Sequence, residues 1–243
     1  WTPTLILPTA KAVRPGAHAV VTTPQIIAIQ VGRPQQMGSD HAVEPLDQTW
    51  VSAITKTPAA EPVWLAANNL SGDEQADLKN HGGRDKAVLF YAAAHYPQWV
   101  QTLGFDLPYG AFGENLTVRD LNEESVCIGD CYQLGAGEDA AVVQVSVPRG
   151  PCYKLARRWH IADLPDQVRA NGYTGWYARV LKEGWLSSGM PITLLDRPHP
   201  EWSVMRATRV WQQKKDNPEA AAELADCPAL AEVWRTVLRS VRT

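Results

Sequence analysis

The feature that most constrains the fold is a series of short apolar segments, separated by turn residues, that runs from residue 25 to about residue 150. Residues 25–31 are predicted to form a strand with Ile27, Ile29 and Val31 on one face. The other predicted strands cover residues 50–55, 62–65, 86–91, 116–118, 126–128, 132–134, 141–147, 176–181 and 191–195. Strands and helices do not alternate regularly, so the pattern favours a mainly β fold, a closed or partly closed β-barrel, over a doubly wound sheet.

A few helices are predicted around this sheet. One covers residues 95–103 and stops at Gly104, and another begins at Asp163 and ends near Gly172. After Pro198 and Pro200 the composition becomes helical, with candidate helices at residues 202–212, 218–226 and 229–241. We therefore predict an irregular lead-in at residues 1–24, a β-barrel domain at residues 25–199 and an all-α three-helix domain at residues 200–243.

Charge and composition exclude several classes of partner. The formal net charge is -3, which provides no broad basic field for a nucleic acid polymer or an anionic membrane. No apolar run approaches the roughly 20 residues of a membrane span. The cysteines at 127, 131, 152 and 227 lack the paired spacing of a zinc ribbon, and a disulfide framework is not expected in a chain of this length. We expect a cytoplasmic protein with reduced cysteines, in which Cys127 and Cys131 serve packing and Cys227 is incidental.

Cys152 is the candidate reactive or metal-binding residue. It lies in the segment V-S-V-P-R-G-P-C-Y-K-L at 145–155, where a strand runs into a turn stiffened by prolines. The neighbouring Arg149 and Lys154 would favour its thiolate form, the form that acts as a nucleophile or a ligand of soft metals. The alternative is a small buried hydrophobe, which is the commoner fate of a free cysteine.

Two polar, glycine-containing loops carry the other candidates. The segment K-N-H-G-G-R-D-K at 79–86 places Gly82 and Gly83 among basic side chains that could neutralise a phosphate, and its glycines allow positive φ angles. A solvated hairpin is the alternative for this loop, and no G-x-S-x-G motif accompanies it as in lipases. In the second loop, Glu114 and Asn115 precede a strand and are suited to holding a neighbouring loop by hydrogen bonds.

Two other site chemistries receive less support from the spacing. A zinc ion held by His81, His95 and Cys152 would lack any short paired ligand spacing. A cysteine hydrolase that used Cys152 with His160 would have no evident acid to orient the histidine.

Four segments together resemble a known family. G-D-E-Q at 72–75, K-N-H-G-G at 79–83, F-G-E-N-L at 112–116 and S-V-P-R-G-P-C-Y-K-L at 146–155 occur in the order and at the spacings of the MOSC domain, named after the molybdenum cofactor sulfurase C-terminus. The resemblance is particularly close to bacterial MOSC proteins of the YiiM type, in which a three-helix domain follows the barrel. Relatives often have H-G-G-P-D-R-A where this chain has H-G-G-R-D-K-A at 81–87.

The resemblance implies a MOSC-type β-barrel that binds molybdenum cofactor, with Cys152 as the protein ligand of molybdenum. It nominates Lys79, His81, Gly82, Gly83, Glu114, Asn115, Arg149 and Lys154 for binding the cofactor. It further implies an oxidoreductase that reduces N-hydroxylated compounds such as hydroxylaminopurines and amidoximes, with electrons from a separate redox protein and His81 as a candidate proton donor. A non-catalytic cofactor carrier or sulfur-transfer module is the alternative function. The three-helix domain could pack on the barrel, form a homodimer contact or receive the electron donor.

Overall fold

The computed structural model describes residues 23–241, so residues 1–22 of the predicted lead-in lie outside the described part. The strands are β1 Gln25–Val31, β2 Gln35–Met37, β3 Trp50–Ser52, β4 Thr57–Pro58, β5 Val63–Leu65, β6 Val88–Ala92, β7 Leu116–Arg119, β8 Cys131–Leu134, β9 Ala141–Pro148, β10 Trp176–Lys182, β11 Gly184–Leu186 and β12 Ile192–Asp196. The helices are α1 Leu78–His81, α2 Tyr96–Leu103, α3 Lys154–Trp159, α4 Leu164–Asn171, α5 Val204–Gln212, α6 Pro218–Ala225 and α7 Glu232–Ser240. The mainly β prediction is confirmed.

The main sheet has eight strands in the order β12-β8-β9-β10-β6-β7-β1-β4. All neighbours are antiparallel except β6 and β7, which are parallel. The predicted barrel is not a continuously closed ladder within the described residues. The start of β1 instead meets the start of β12 through one bridge, Gln25 with Pro191, and a hydrogen bond from the Ile192 amide to the Pro24 carbonyl (2.7 Å).

Strand β1 departs from the predicted alternation. Ile26 and Ile29 are its buried apolar residues, whereas Ile27 and Val31 are half-buried. The register with β7 shifts between Ile26 and Ala28, which is a β-bulge. A bulge adds one residue to a strand and reverses the facing of the residues beyond it, so the predicted face containing Ile27, Ile29 and Val31 is wrong.

The helices predicted beside the sheet are confirmed. Helix α2 ends at Gly104, whose φ is +79°, and α4 ends at Gly172, whose φ is +76°. Asp163 precedes α4 as predicted, but its side chain makes no cap hydrogen bond. Helices α2, α3 and α4 pack with Phe112 in a second apolar cluster, beside the larger core that fills the sheet.

The C-terminal helices α5 to α7 share the main core with the sheet. Trp202 is buried there, and Trp211 stacks on Trp234 with ring centroids 4.0 Å apart, so the packing role expected of the helical tail is confirmed. Backbone contacts also join the two parts: the Ala231 amide donates to the Ser146 carbonyl of β9 at 2.9 Å. The predicted domain limits at residues 25–199 and 200–243 remain predictions. No helix within residues 23–241 is long and apolar enough to cross a membrane.

Several short elements lie where loops were expected. β2 and α1 fall in polar segments without periodicity, and β11 is a short strand paired with β5. Helix α3 begins two residues after Cys152 and has charged residues at half of its positions, so its apolar face gives little periodic signal in the sequence. The predicted strand at 126–128 is reduced to a single bridge between Cys127 and Ser203.

Candidate functional site

One cleft brings together most of the residues that the sequence nominated. It encloses about 580 Å³, including its open mouth, and lies beside the second apolar cluster. The nominated residues that line it are His81, Asn115, Arg149, Cys152 and Lys154. Its walls also include apolar side chains, among them Ile54, Leu89 and Phe112. The cleft therefore combines a thiol, several cationic groups and an apolar wall.

Cys152 lies in the turn between β9 and α3, and helix α3 fixes that turn. Leu155 is fully buried in the second apolar cluster. The Arg158 guanidinium donates to the carbonyls of Ile54 (2.6 Å) and Gly110 (2.7 Å), and the Trp159 indole donates to the Ala111 carbonyl (3.0 Å). Cys152 itself is half-buried, so its sulfur is held at the cleft wall by a helix that is bonded to two neighbouring loops.

Arg149 is the clearest sign of a ligand. Its side chain is only 6% exposed, and its Nη2 donates to the Phe112 carbonyl at 2.9 Å. Its Nη1 is buried and has no hydrogen-bond partner among the described residues. An unpaired buried donor on a charged group costs free energy unless something accepts from it. A guanidinium in this state suits an anionic ligand such as a phosphate.

His81 and Lys154 share the cleft with Arg149. Lys154 is 7% exposed although it carries a charge. Burial, together with the positive charges of Lys154 and Arg149, lowers the pKa of His81 to about 4. The imidazole of His81 is therefore neutral at pH 7 in the ligand-free protein.

The K-N-H-G-G-R-D-K loop at 79–86 contributes fewer residues to the cleft than was expected. Lys79, Gly83 and Arg84 are exposed, and neither Lys79 nor the two glycines line the cleft. Gly83 has the expected positive φ of 93°, whereas Gly82 does not. The loop reaches the cleft through His81 near its start and Lys86 at its end, the position at which relatives often have arginine.

Glu114 supports the site from behind. It is fully buried, does not line the cleft, and accepts hydrogen bonds from the amides of Gly110 (2.8 Å) and Phe112 (3.1 Å) and from the hydroxyl of Tyr96. Burial and the adjacent carboxylate raise the pKa of Tyr96. Glu114 thus shapes the loop whose Phe112 carbonyl receives Arg149, which matches the supporting role expected of F-G-E-N-L rather than direct contact with a ligand in the cleft.

Asp73 and Lys56 also line the cleft, but neither residue was nominated from the sequence. Asp73 Oδ1 accepts from the Gly32 amide (2.7 Å) and from the Lys56 ammonium, and its Oδ2 accepts from Asn115 Nδ2 (2.9 Å). Asn115 also accepts from the Leu89 amide at 3.1 Å. The G-D-E-Q segment was noticed as a motif, but the partner of its carboxylate lies 17 residues earlier and gave no local signal.

The structure does not bring together the residues that the zinc site and the cysteine hydrolase would need. His95 is buried against Glu123, with Nε2 2.6 Å from Oε2, and does not line the cleft. No group of three or more His, Cys, Asp or Glu side chains within residues 23–241 could hold a metal ion, so the zinc site is wrong. His160 is exposed, its Nδ1 lies 3.4 Å from Asp47 Oδ1, and it does not line the cleft, so the hydrolase that would pair Cys152 with His160 is not supported.

The remaining cysteines behave as packing residues. Cys127 and Cys227 are buried and Cys131 is half-buried, and all four cysteines are free. Burial raises the pKa of the thiols of Cys127, Cys131 and Cys227. Because the thiolate is the reactive form, these three positions are unsuited to ligation or nucleophilic attack.

Comparisons with known proteins show the family of this chain. The protein YflK of Bacillus subtilis is 43% identical over 210 residues, which cover 86% of this chain and 90% of YflK. The protein YiiM of Escherichia coli is 33% identical over 196 residues, covering 79% of this chain and 84% of YiiM, and the MOSC domain profile matches residues 77–193. The chain belongs to the MOSC family. A second profile, the YiiM-like 3-alpha helix domain, matches residues 202–240.

A solved structure supports the same assignment of fold. YiiM from Geobacillus stearothermophilus superimposes with a TM-score of 0.73 at 33% identity, covering 90% of this chain and 100% of that one. A Gibberella moniliformis protein named "Reductase" is 38% identical over 182 residues, but this chain spans 31% of its length. The MOSC domain of this chain thus contains every nominated site residue, and its C-terminal helices correspond to the YiiM-like extension.

The cleft of this MOSC domain fits an anionic ligand that also presents a soft metal. Arg149 Nη1 lacks an acceptor in the described part of the chain, Lys154 is a buried cation, and the Cys152 thiol lines the same cleft. MOSC domains are associated with molybdenum cofactor, and a sulfur ligand with nearby cations is the donor set that such a phosphate-bearing, metal-containing group requires.

Proposed function

We propose that this protein binds molybdenum cofactor in the cleft and reduces N-hydroxylated compounds there. The observation that carries the proposal is the unpaired Nη1 of the buried Arg149 in the cleft that also holds Cys152. Membership of the MOSC family supports the choice of cofactor. The similarity to a protein named "Reductase" supports the reaction class.

The residues of the cleft have separate tasks in this proposal. Cys152 provides a thiolate, which is a preferred ligand of soft metals. Arg149 and Lys154 neutralise the phosphate, and the guanidinium of Arg149 can do so with two parallel hydrogen bonds. Phe112 and Tyr177 line the same cleft and give the flat pterin or substrate an apolar contact.

The bound cofactor would supply two electrons, so that an N–OH group, two electrons and two protons become an N–H group and water. The electrons come from a separate redox protein. His81 is held neutral in the ligand-free cleft by burial and by the charges of Lys154 and Arg149. An anionic ligand that offsets those charges raises the pKa of His81, so a loaded cleft makes the residue better able to hold and donate a proton, although burial still keeps the pKa below 6.5.

The test combines metal analysis with turnover. Protein from cells that make molybdenum cofactor is analysed for molybdenum and pterin, then assayed anaerobically with a reduced dye and a hydroxylaminopurine. We expect stoichiometric molybdenum and consumption of the dye that depends on the substrate. Cys152→Ser should lose the metal, whereas Cys131→Ser, a matched change of a cysteine outside the cleft, should retain metal and activity.

Two outcomes would contradict the proposal in different ways. Protein that carries molybdenum but never reduces an N–OH group would be a cofactor carrier or a sulfur-transfer module. Protein in which Cys152→Ser keeps its full metal content and activity would not use this cysteine as the ligand.

A further inference from the structure

The cleft and the three-helix extension are joined by one side chain, Arg179 of β10. Its Nε donates to Asp85 Oδ1 (2.8 Å), its Nη1 to Gln144 Oε1 (2.8 Å) and its Nη2 to the Ala229 carbonyl (2.9 Å). Asp85 belongs to the K-N-H-G-G-R-D-K loop, and Ala229 lies in the connection between α6 and α7. A single planar guanidinium therefore contacts the cleft loop, the sheet and the helical extension at once.

A second contact follows the same route. The Ser146 hydroxyl of β9 lies within hydrogen-bond distance of the carbonyls of Asp85 and of Tyr177, and the Ser146 carbonyl accepts from the Ala231 amide at 2.9 Å. Ser146 is fully buried. The loop is thus bonded at both the backbone and the side chain of Asp85 to residues that also bond the α6–α7 connection.

The loop held in this way carries two cleft residues. Lys86 follows Asp85 directly, lines the cleft and lies with Nζ 5.9 Å from the centre of the Tyr177 ring, and His81 lies near the other end of the loop. Within the described residues, nothing lies within 4 Å of a Cβ added at Gly83, whose φ is +93°, so no neighbour packs against this one position of the turn. The hydrogen bonds from Arg179 and Ser146 to Asp85 hold the loop against β9 and β10.

We propose that Arg179 is a positioning residue that makes the three-helix extension part of the ligand site. The α6–α7 connection accepts from Arg179 and orients its guanidinium, and Arg179 in turn fixes Asp85 and the loop that presents Lys86 and His81. This inference rests on the proposed use of the cleft for a phosphate-bearing ligand. It assigns the extension a task in ligand binding beyond covering the sheet.

The experiment compares Arg179→Met with Arg197→Met in the full-length protein. Arg197 is a matched control because it also ties a carboxylate in the sheet, donating to Asp130 at 2.8 and 2.7 Å, but it lies away from the cleft. Binding of inorganic phosphate is measured by calorimetry, and amide hydrogen exchange is measured over residues 81–86. Both variants should lose stability, whereas only Arg179→Met should speed exchange in the loop and weaken phosphate binding, by roughly tenfold.

Arg179→Lys provides the conservative comparison. A lysine can reach Asp85 but cannot hold three acceptors in one plane, so exchange and affinity should fall between those of the parent and Arg179→Met. Unchanged exchange over residues 81–86 in Arg179→Met, or equal phosphate affinity in Arg179→Met and the parent, overturns the inference. Failure of the parent protein itself to bind phosphate counts instead against the proposed function, and the exchange measurement still decides the role of Arg179.

Discussion

Replacing Arg149 by methionine should separate ligand binding from folding. The side chain is 6% exposed and donates to the Phe112 carbonyl, while its buried Nη1 has no hydrogen-bond partner among residues 23–241. Methionine has a similar length and no charge, so it can occupy the same space with little change in volume. The substitution removes the stabilising hydrogen bond to the Phe112 carbonyl and also removes the destabilising unpaired donor, Nη1.

The two contributions to stability are of similar size. Loss of a hydrogen bond from a charged donor costs about 1.5–3 kcal/mol, and removal of an unpaired buried donor returns about 1–3 kcal/mol. We therefore expect the free energy of unfolding of the ligand-free protein to change by less than about 1 kcal/mol. Arg197→Met removes the guanidinium that donates two hydrogen bonds to the fully buried Asp130 carboxylate. We expect it to lower the free energy of unfolding by about 2–4 kcal/mol. This is somewhat less than for a fully buried pair, because the Arg197 side chain is a third exposed.

Phosphate affinity should show the opposite order, with a larger loss in Arg149→Met than in Arg197→Met. Removing one member of a desolvated, hydrogen-bonded charge pair costs about 2 kcal/mol or more, a factor of about 30 in affinity. Urea unfolding and phosphate calorimetry on Arg149→Met and Arg197→Met measure the two effects. A loss of stability in Arg149→Met as large as that in Arg197→Met, with unchanged phosphate affinity, would show that Arg149 is a structural residue and refute the reasoning.

Further substitutions probe the side chains that line or support the cleft. Glu114→Gln should lower the free energy of unfolding by about 2–4 kcal/mol, because an amide cannot accept at both of its terminal atoms from the donors that converge there; an unchanged urea midpoint would contradict this. Lys154→Met should move the NMR titration midpoint of His81 upward from about 4, though not to 6.5 because burial remains, and an unchanged midpoint would show that Lys154 does not act on it. Since the pKa of His81 is lower in the folded state, the parent should lose stability as the pH falls from about 6.5 to about 4, and His81→Asn should remove that part of the pH dependence. Lys56→Met should destabilise the protein by leaving the buried Asp73 without its cation, and Asp73→Asn in the same chain should recover part of the loss; a double variant no more stable than Lys56→Met would argue against the pairing.

The sequence predicted the parts of the fold that depend on local patterns. The end of helix α2 was predicted from Gly104, and strand β9 was predicted from its run of β-branched residues. The bulge in β1 could not be predicted, because it depends on pairing with β7, nearly 90 residues later. Helix α3 was not predicted because its apolar face contains few residues. Its arginines bond to loops that are distant in the chain, so its stabilising contacts leave no local pattern.

The site shows the same division. Cys152, Arg149 and Lys154 were found because they are close in sequence and chemically conspicuous, and the cleft does bring them together with His81. The lowered pKa of His81 could not be predicted from the sequence, because it follows from burial and from the charges that folding brings close to it. Glu114 was nominated with the cofactor-binding residues, yet its carboxylate is directed to loop amides, a distinction that only three-dimensional contacts can make.

The most direct test of the account is the molybdenum and pterin content of the purified protein beside that of Cys152→Ser, both from cells that make the cofactor. The account predicts stoichiometric molybdenum and pterin in the parent and loss of molybdenum in the variant, with an unchanged urea unfolding midpoint for the ligand-free proteins because Cys152 is only half-buried. Equal molybdenum content in the two proteins, or a parent that takes up neither molybdenum nor pterin, would contradict it.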